Sequence, residues 1–257
     1  TGYGDSPYQS FSAFAGNPYF IDFDILNKEG LLNKGEYINE NYGDNPEYID
    51  YGLLFNIKYT VLRRAYNNFK DIDNVSLKED FNKFIKDNKE WLDDYSLYMA
   101  VKEKFNLVSW QEWDEDIKKR SPKAMKRYRE ELADEIEFWS FIQYMFFKQW
   151  NQLKSYANEK GIEIIGDMPI YVAEDSADVW SNPEAYLIDK DTLKPISVAG
   201  CPPDAFSETG QLWGNPLYDW EYMERNGYKW WIKRVEESLK LYDVVRIDHF
   251  RGFESYW

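Results

Sequence analysis

The stretch YDVVRIDHFRGFESYW, Tyr242 to Trp257, decides the fold. Read with the two-residue period of a strand, Val244, Arg246, Asp248 and Phe250 share one face, and Asp243, Val245, Ile247 and His249 share the other. The run predicts a buried strand that delivers an arginine and a carboxylate to one side and then stops. Both charges must be paired or must face a wet cleft, because an isolated ion in an apolar strand is costly. Two readings follow: an active-site carboxylate held ionised by the neighbouring guanidinium, or a buried structural salt bridge.

Working outward, Gly227 opens a helical pattern over Tyr228 to Leu241, with Trp231, Val235 and Leu239 on one side, that leads into this strand. The same order occurs earlier. Glu159-Lys160-Gly161 is a helix stop, and Ile162, Ile164 and Ile165 then form a short strand ending at Gly166-Asp167. Helix, glycine, short apolar strand and terminal carboxylate, twice over, is the βα rhythm of a parallel sheet or barrel, whose strand ends share one rim. Two carboxylates on that rim suit chemistry at an acetal, where one stays charged while another holds a proton. Arg246 beside Asp248 favours the ionised form, which suits a nucleophile better than an acid. Asp167 reads either as an acceptor for a sugar hydroxyl or as a turn or helix-capping aspartate before Pro169.

Between the two strands lies a proline- and glycine-rich region too long for a simple connection, so a lid or substrate-binding segment is expected there. Its DAFSETGQLW segment, Asp204 to Trp213, carries Phe206, Glu208, Gln211 and Trp213, an aromatic and amide set suited to a sugar chain, or else an ordinary surface loop with a tucked aromatic. Glu208 is the one tempting proton donor there, yet a loop positions a donor less well than a strand end. Residues from about Tyr48 to Ser155 are helical in pattern. Tyr59, Leu62, Tyr66 and Phe69 recur at helical spacing, as do Phe81, Phe84, Asn88, Trp91 and Tyr95. A long helix over Pro122 to Tyr156 is expected to be enclosed over its second half, and Gln143, Lys148 and Gln149 argue against its being a membrane segment. The opening stretch is dense in turn residues, yet it also carries Tyr8, Phe11, Phe14 and Tyr19, which a plain linker would not.

The totals limit the partners. Forty-six acidic against 31 basic residues give a formal charge of −15, which would repel a phosphate backbone. No apolar run approaches the length of a bilayer span. The single cysteine, Cys201, permits no internal disulfide, and with no signal-peptide pattern at the start a cytoplasmic location is expected. His249 is the only histidine, so a zinc site is not expected; on a regular strand it points away from Asp248, unless the strand has already turned. No phosphate-binding glycine motif is present.

Four segments, GDSPYQSFSAFAGNPYFID (Gly4 to Asp22), IGDMPIYVAEDSADVW (Ile165 to Trp180), CPPDAFSETGQLWGNPLYDW (Cys201 to Trp220) and VVRIDHFRGFESYW (Val244 to Trp257), resemble the amylomaltase, or 4-alpha-glucanotransferase, family of glycoside hydrolases, in the family's order. The resemblance implies an α/β fold, a (β/α)8 TIM barrel with inserted, largely helical subdomains, here truncated at both ends. It implies three parts: residues 1–47 as a barrel strand and substrate-lining loops, 48–160 as a mainly helical insertion and barrel helix, and 161–257 as barrel strands with an active-site flap at about 196–220. The implied reaction is retaining transfer between alpha-1,4-glucans such as maltooligosaccharides and amylose, without a cofactor or metal and with neither nucleic acid nor membrane as partner. Asp248 falls on the family's nucleophile and Arg246 on the arginine that orients it. Tyr8, Asp167, Phe206, Glu208, Gln211, Trp213 and His249 fall on substrate-lining segments. The family's acid/base glutamate matches no residue here, so the remainder of the same barrel is an expected partner. A glucan-binding segment without chemistry and a plain alpha-1,4-glucan hydrolase are the alternatives.

Overall fold

The computed structural model describes residues 3–45, 47–205 and 207–255. Its helices are α1 (Phe23–Lys28), α2 (Tyr51–Asp71), α3 (Val75–Asp87), α4 (Lys89–Lys104), α5 (Glu115–Lys118), α6 (Pro122–Glu131), α7 (Ala133–Glu159), α8 (Ala177–Ser181), α9 (Trp220–Arg225) and α10 (Lys229–Leu241). Its strands are β1 (Ile165–Met168), β2 (Val198–Cys201), β3 (Gln211–Pro216) and β4 (Val244–Ile247). β1 and β4 pair in parallel, and β2 and β3 form an antiparallel pair. Among the described residues the parallel sheet has these two strands, without a closed barrel.

α7 is the central helix, with α2, α3, α4, α6 and α10 packed against it. Asp134 and Glu135 sit in its first turn, where the helix dipole favours acids, and Gly161, at φ 73°, ends it. Phe138 to Phe146 are buried on every side of the helix, whereas Leu153 and Tyr156 beyond them are exposed, so enclosure falls on the middle of this helix and not on its end. Rings carry much of this core. Phe69 lies between Phe81 (centroids 5.2 Å) and Phe141 (5.0 Å), and Tyr59 meets Trp139 at 5.4 Å.

Two helices expected to be continuous are broken. The periodicity through Phe81 and Tyr95 spans α3 and α4, because Asn88 interrupts the ladder: its side chain donates to the Phe84 carbonyl (2.9 Å) and accepts from the Trp91 indole (3.2 Å). Its backbone leaves the helical region there (φ −110°, ψ 12°), and the side-chain bonds add to the backbone pairing at the break while the apolar phase runs on. The long helix likewise divides at Leu132. The barrel strand expected within residues 1–47 is not found among the described residues; residues 20–24, where apolar and acidic residues alternate, lead into α1. Asp22 decides this, since its carboxylate accepts from the Asp24 and Ile25 amides and caps the helix.

β1 and β4 are also less enclosed than expected. Their inward residues include Gly166 and Met168, while Ile165 is 69% and Val244 44% exposed, because no element among the described residues covers that side. Gly166 is required where it stands: a Cβ there would lie 2.1 Å from the Tyr242 ring laid across the strand. α10 turns a different face inward from the one expected. Trp231, Arg234 and Ser238 are buried, whereas Leu239 is exposed.

Candidate active site

The register of the parallel pair sets Asp167 directly opposite Arg246. The guanidinium meets that carboxylate in a two-point fork, Nε to Oδ1 at 2.8 Å and Nη2 to Oδ2 at 2.9 Å, and reaches Asp248 Oδ1 with Nη2 at 3.2 Å. The Tyr8 hydroxyl donates to Asp167 Oδ2 at 3.0 Å. The Asp167 carboxyl is therefore held below its usual range, first by the Arg246 guanidinium and then by the Tyr8 hydroxyl. The same bond pushes the Tyr8 hydroxyl up, and the Arg246 guanidinium is pushed up chiefly by its bond to Asp167. Side-chain exposures of 62% for Arg246, 40% for Asp167 and 44% for Asp248 set the three groups at an open cleft among the described residues, not in a sealed core. Two carboxylates share one cation, so the group carries net negative charge.

Arg246 thus spends its fork on Asp167 and gives Asp248 a single bond. Asp167 is accordingly neither a turn nor a helix cap.

Asp248 opens on a cleft of about 540 Å³. β4 has ended there: His249 is left-handed (φ 52°), which swings its imidazole to the Asp248 side instead of the opposite face of a regular strand. The ring meets Trp213 edge-on, with centroids 4.9 Å apart and planes at 90°. Trp213 continues the aromatic wall to Tyr171 (6.3 Å), which stacks on Tyr218 (6.0 Å). A bulge aims Trp213. Val198 pairs with Pro216 and Gly200 with Leu212, so three residues, Trp213 to Asn215, oppose Ala199, and Gly214 takes φ +78°. Gly252 packs close against two of the lining residues, Ile170 and Tyr171. A Cβ there would stand 2.9 Å from Ile170 and 3.0 Å from the Tyr171 hydroxyl.

Of the residues singled out from sequence, Tyr8, Asp167, Gln211, Trp213, Arg246, Asp248 and His249 come together at this cleft or immediately behind it. Glu208 does not. It is exposed in the loop between β2 and β3, away from the cleft lining, because the hairpin carries it outward. Phe206 lies outside the described residues. Cys201 is a buried free thiol. Sequence reading missed Gln9, Tyr171, Asn215 and Arg234. Gln9 lies in the SPYQS segment and donates, at 3.4 Å, to the Trp213 carbonyl and to Asn215 Oδ1, tying the opening loop to the bulge. Its signal was the density of aromatic and amide groups among turn residues.

The family model for 4-alpha-glucanotransferase matches residues 1–257. The chain belongs to the 4-alpha-glucanotransferase family. A 4-alpha-glucanotransferase of Clostridium butyricum is 62% identical over 257 residues, all of this chain and 52% of the relative, and one of Thermus thermophilus is 49% identical over all of this chain and 50% of its own length. Among solved structures, an amylomaltase from Streptococcus agalactiae in complex with acarbose superposes with a TM-score of 0.94 at 46% identity, covering 100% of this chain and 51% of that one. The chain spans about half the length of the curated relatives it matches. No helix among the described residues is long and apolar enough to cross a membrane.

Proposed function

We propose that this chain supplies the nucleophile side of a retaining 4-alpha-glucanotransferase, which moves alpha-1,4-glucan segments to the 4-hydroxyl of an acceptor glucan. The observation that carries this reading is Asp248. It is a half-exposed carboxylate at a strand end, bonded to a guanidinium that Asp167 holds, and it opens on a cleft walled by Trp213, Tyr171 and His249. In the first step Asp248 bonds to the anomeric carbon as the glycosidic C–O bond breaks, and the departing 4-oxygen takes a proton from a general acid. In the second, an acceptor 4-hydroxyl attacks the same carbon, gives up its proton to the conjugate base and releases Asp248 as carboxylate. The acid is assigned to no residue of this chain.

Several finer readings accompany this. β1 and β4 are taken as two strands of a (β/α)8 barrel, residues 48–160 as its helical insertion, 161–257 as strands with a flap at about 196–220, and the loops within 1–47 as substrate-lining. A remainder of the barrel completes the active molecule, a reading supported by relatives of about twice this length. The aromatic wall and the negative charge suit maltooligosaccharides and other neutral alpha-1,4-glucans in a cytoplasmic setting, with neither nucleic acid nor membrane engaged. Tyr8, Asp167, Gln211 and His249 are assigned to sugar hydroxyls and Trp213 to a sugar face.

Chromatography of products from maltotriose, incubated with the full-length protein carrying these residues, tests the reading. Glucose together with chains longer than the input is the expected result. Shorter sugars alone would overturn it in favour of hydrolysis, and saccharide binding without any product in favour of a binding segment.

A further inference from the structure

The sheet's backbone bonding stops where the cleft begins. Met168 is the last residue of β1, and its carbonyl accepts from the Asp248 amide at 2.9 Å. Beyond it, side chains take the carbonyls of the segment that joins Asp167 to Tyr171. Arg234, on α10, donates from Nη2 to the Pro169 carbonyl and from Nη1 to the Ile170 carbonyl at 3.0 Å. The Tyr218 hydroxyl donates to that same Ile170 carbonyl at 2.7 Å and accepts from Arg234 Nη1 at 3.3 Å. Asn215 donates to the Val172 carbonyl at 2.8 Å.

Arg234 is an unexpected residue to find there. It is 3% exposed, and the oxygens it meets are two carbonyls and a phenol, none of them anionic. Its guanidinium carbon lies over the faces of Trp230 (5.3 Å) and Trp231 (5.1 Å), which offset part of the desolvation. Among the described residues no carboxylate lies within hydrogen-bond reach of it, and the buried Asp178 carboxyl acts on it only through space, so the charge is poor value for stability beside an apolar side chain of like volume. What such a side chain lacks is a planar fork able to grip two successive carbonyls at once.

We infer that Arg234 is a positioning residue for this site: its guanidinium holds the Pro169–Ile170 turn and, through it, sets the Asp167 carboxylate and the Tyr171 ring at the cleft. Arg234 itself lies behind the turn, so it acts through these two groups and touches no substrate. Its consequence for turnover rests on the glucanotransferase reading; its hold on the turn does not.

The test compares full-length Arg234→Met and Arg234→Lys proteins with the parent by three measurements: the unfolding midpoint, amide hydrogen exchange at residues 170–172, and steady-state transfer from maltotriose. Arg234→Met is expected to lower the midpoint modestly while remaining folded, to exchange those amides roughly tenfold faster or more, and to lose about 10- to 100-fold in kcat per folded molecule with KM within about threefold. Arg234→Lys, which retains one donor point, is expected to recover part of kcat. Unchanged exchange and kcat in a folded Arg234→Met protein would overturn the inference. So would a kcat loss that merely tracks the folded fraction, or a lysine variant no better than methionine. If Arg234→Met does not fold, Arg234→Lys decides: faster exchange at the parent midpoint supports the hold, and parent-like exchange with parent-like kcat overturns it. If the parent itself makes no transfer product, the exchange measurement still decides whether Arg234 holds the turn, and only the proposed reaction fails.

Discussion

The helical layer of residues 48–160 and the cleft at the ends of β1 and β4 are built by opposite means. In the first, order comes from rings and aliphatic groups sealed from water, with Val61, Leu62, Tyr66, Phe141 and Ile142 at 0% exposure. In the second, the principal groups are between 40% and 62% exposed and are ordered by charge and hydrogen bonds. Burial supplies stability at roughly 25 cal/mol per Å², whereas exposed ion pairs supply little. The cleft is therefore shaped by charge and hydrogen bonds, those of the buried Arg234 included, while burial of apolar surface elsewhere supplies most of the stability. Substitutions in the two regions are expected to separate cleanly, stability moving in one and turnover in the other.

The largest expected effect lies in the cleft. On the proposed reading, Asp248→Asn in the full-length protein replaces the nucleophilic carboxylate with a neutral amide, and transfer measured by product chromatography is expected to fall by about 10³-fold or more, with the unfolding midpoint and maltotriose affinity retained. Substantial residual turnover would sink the nucleophile assignment. In the helical layer Phe141→Ala, at a site packed between Tyr66 and Phe69, is expected to cost about 3–5 kcal/mol in urea unfolding. The fraction that stays folded should still turn over at the parent rate; a lower rate per folded molecule would break the separation.

The boundary between the regions supplies a sharper case. Asp178, on α8, is buried and accepts from the Ala13 amide at 2.7 Å, and burial pushes its carboxyl up to about 6, against partial relief from that amide and from Arg234. Raised above its unfolded value, this carboxyl favours folding fully below that value of ~3.9, and the contribution is lost as pH rises through about 6. Asp178→Asn does not titrate. The unfolding free energy of the variant relative to the parent is therefore expected to rise by about 2 kcal/mol between pH 4 and pH 7, and a constant difference across that range would refute the assignment. The smallest effect on stability is expected from Arg246→Met. Its exposed fork contributes little to folding, while the Asp167 carboxyl, relieved of the cation, should move up toward its ordinary range in a carbon-detected titration. A low-lying Asp167 in that variant would mean that Tyr8 alone depresses it.

The same division governs what the sequence could reveal. Period-two alternation put Arg246 and Asp248 on one side, and the helix–glycine–strand rhythm put Asp167 on the same rim. Hydrophobic period carried the helical layer as far as its type but not its breaks. At Asn88 and Leu132 the apolar phase runs on while the backbone does not, and hydrophobic period alone reports only the phase. The strands were read as buried because their residues are apolar, yet burial depends on which elements lie against them. Gln143 was noted only as a polar interruption in an apolar helix. Arg234, hidden in a helical pattern whose tryptophans drew the eye, gives no local signal, because its partners are carbonyls 64 and 65 residues away and a carbonyl has no letter.

Gln143 and Gln149 have a consequence of another kind. Each side-chain amide on α7 closes a two-bond pair with one loop residue: Gln143 with the amide (2.7 Å) and carbonyl (3.0 Å) of Gly16, and Gln149 with those of Asp22 (2.7 and 3.1 Å). Both partnerships span 127 positions, so six residues of loop are indexed to six residues of helix, a rise of about 9 Å. The loop is thereby buttoned at two holes of fixed spacing. Chain length between Gly16 and Asp22 is not free to drift as surface loops usually are: losing or gaining one residue there, or between the two glutamines, leaves one button without its hole.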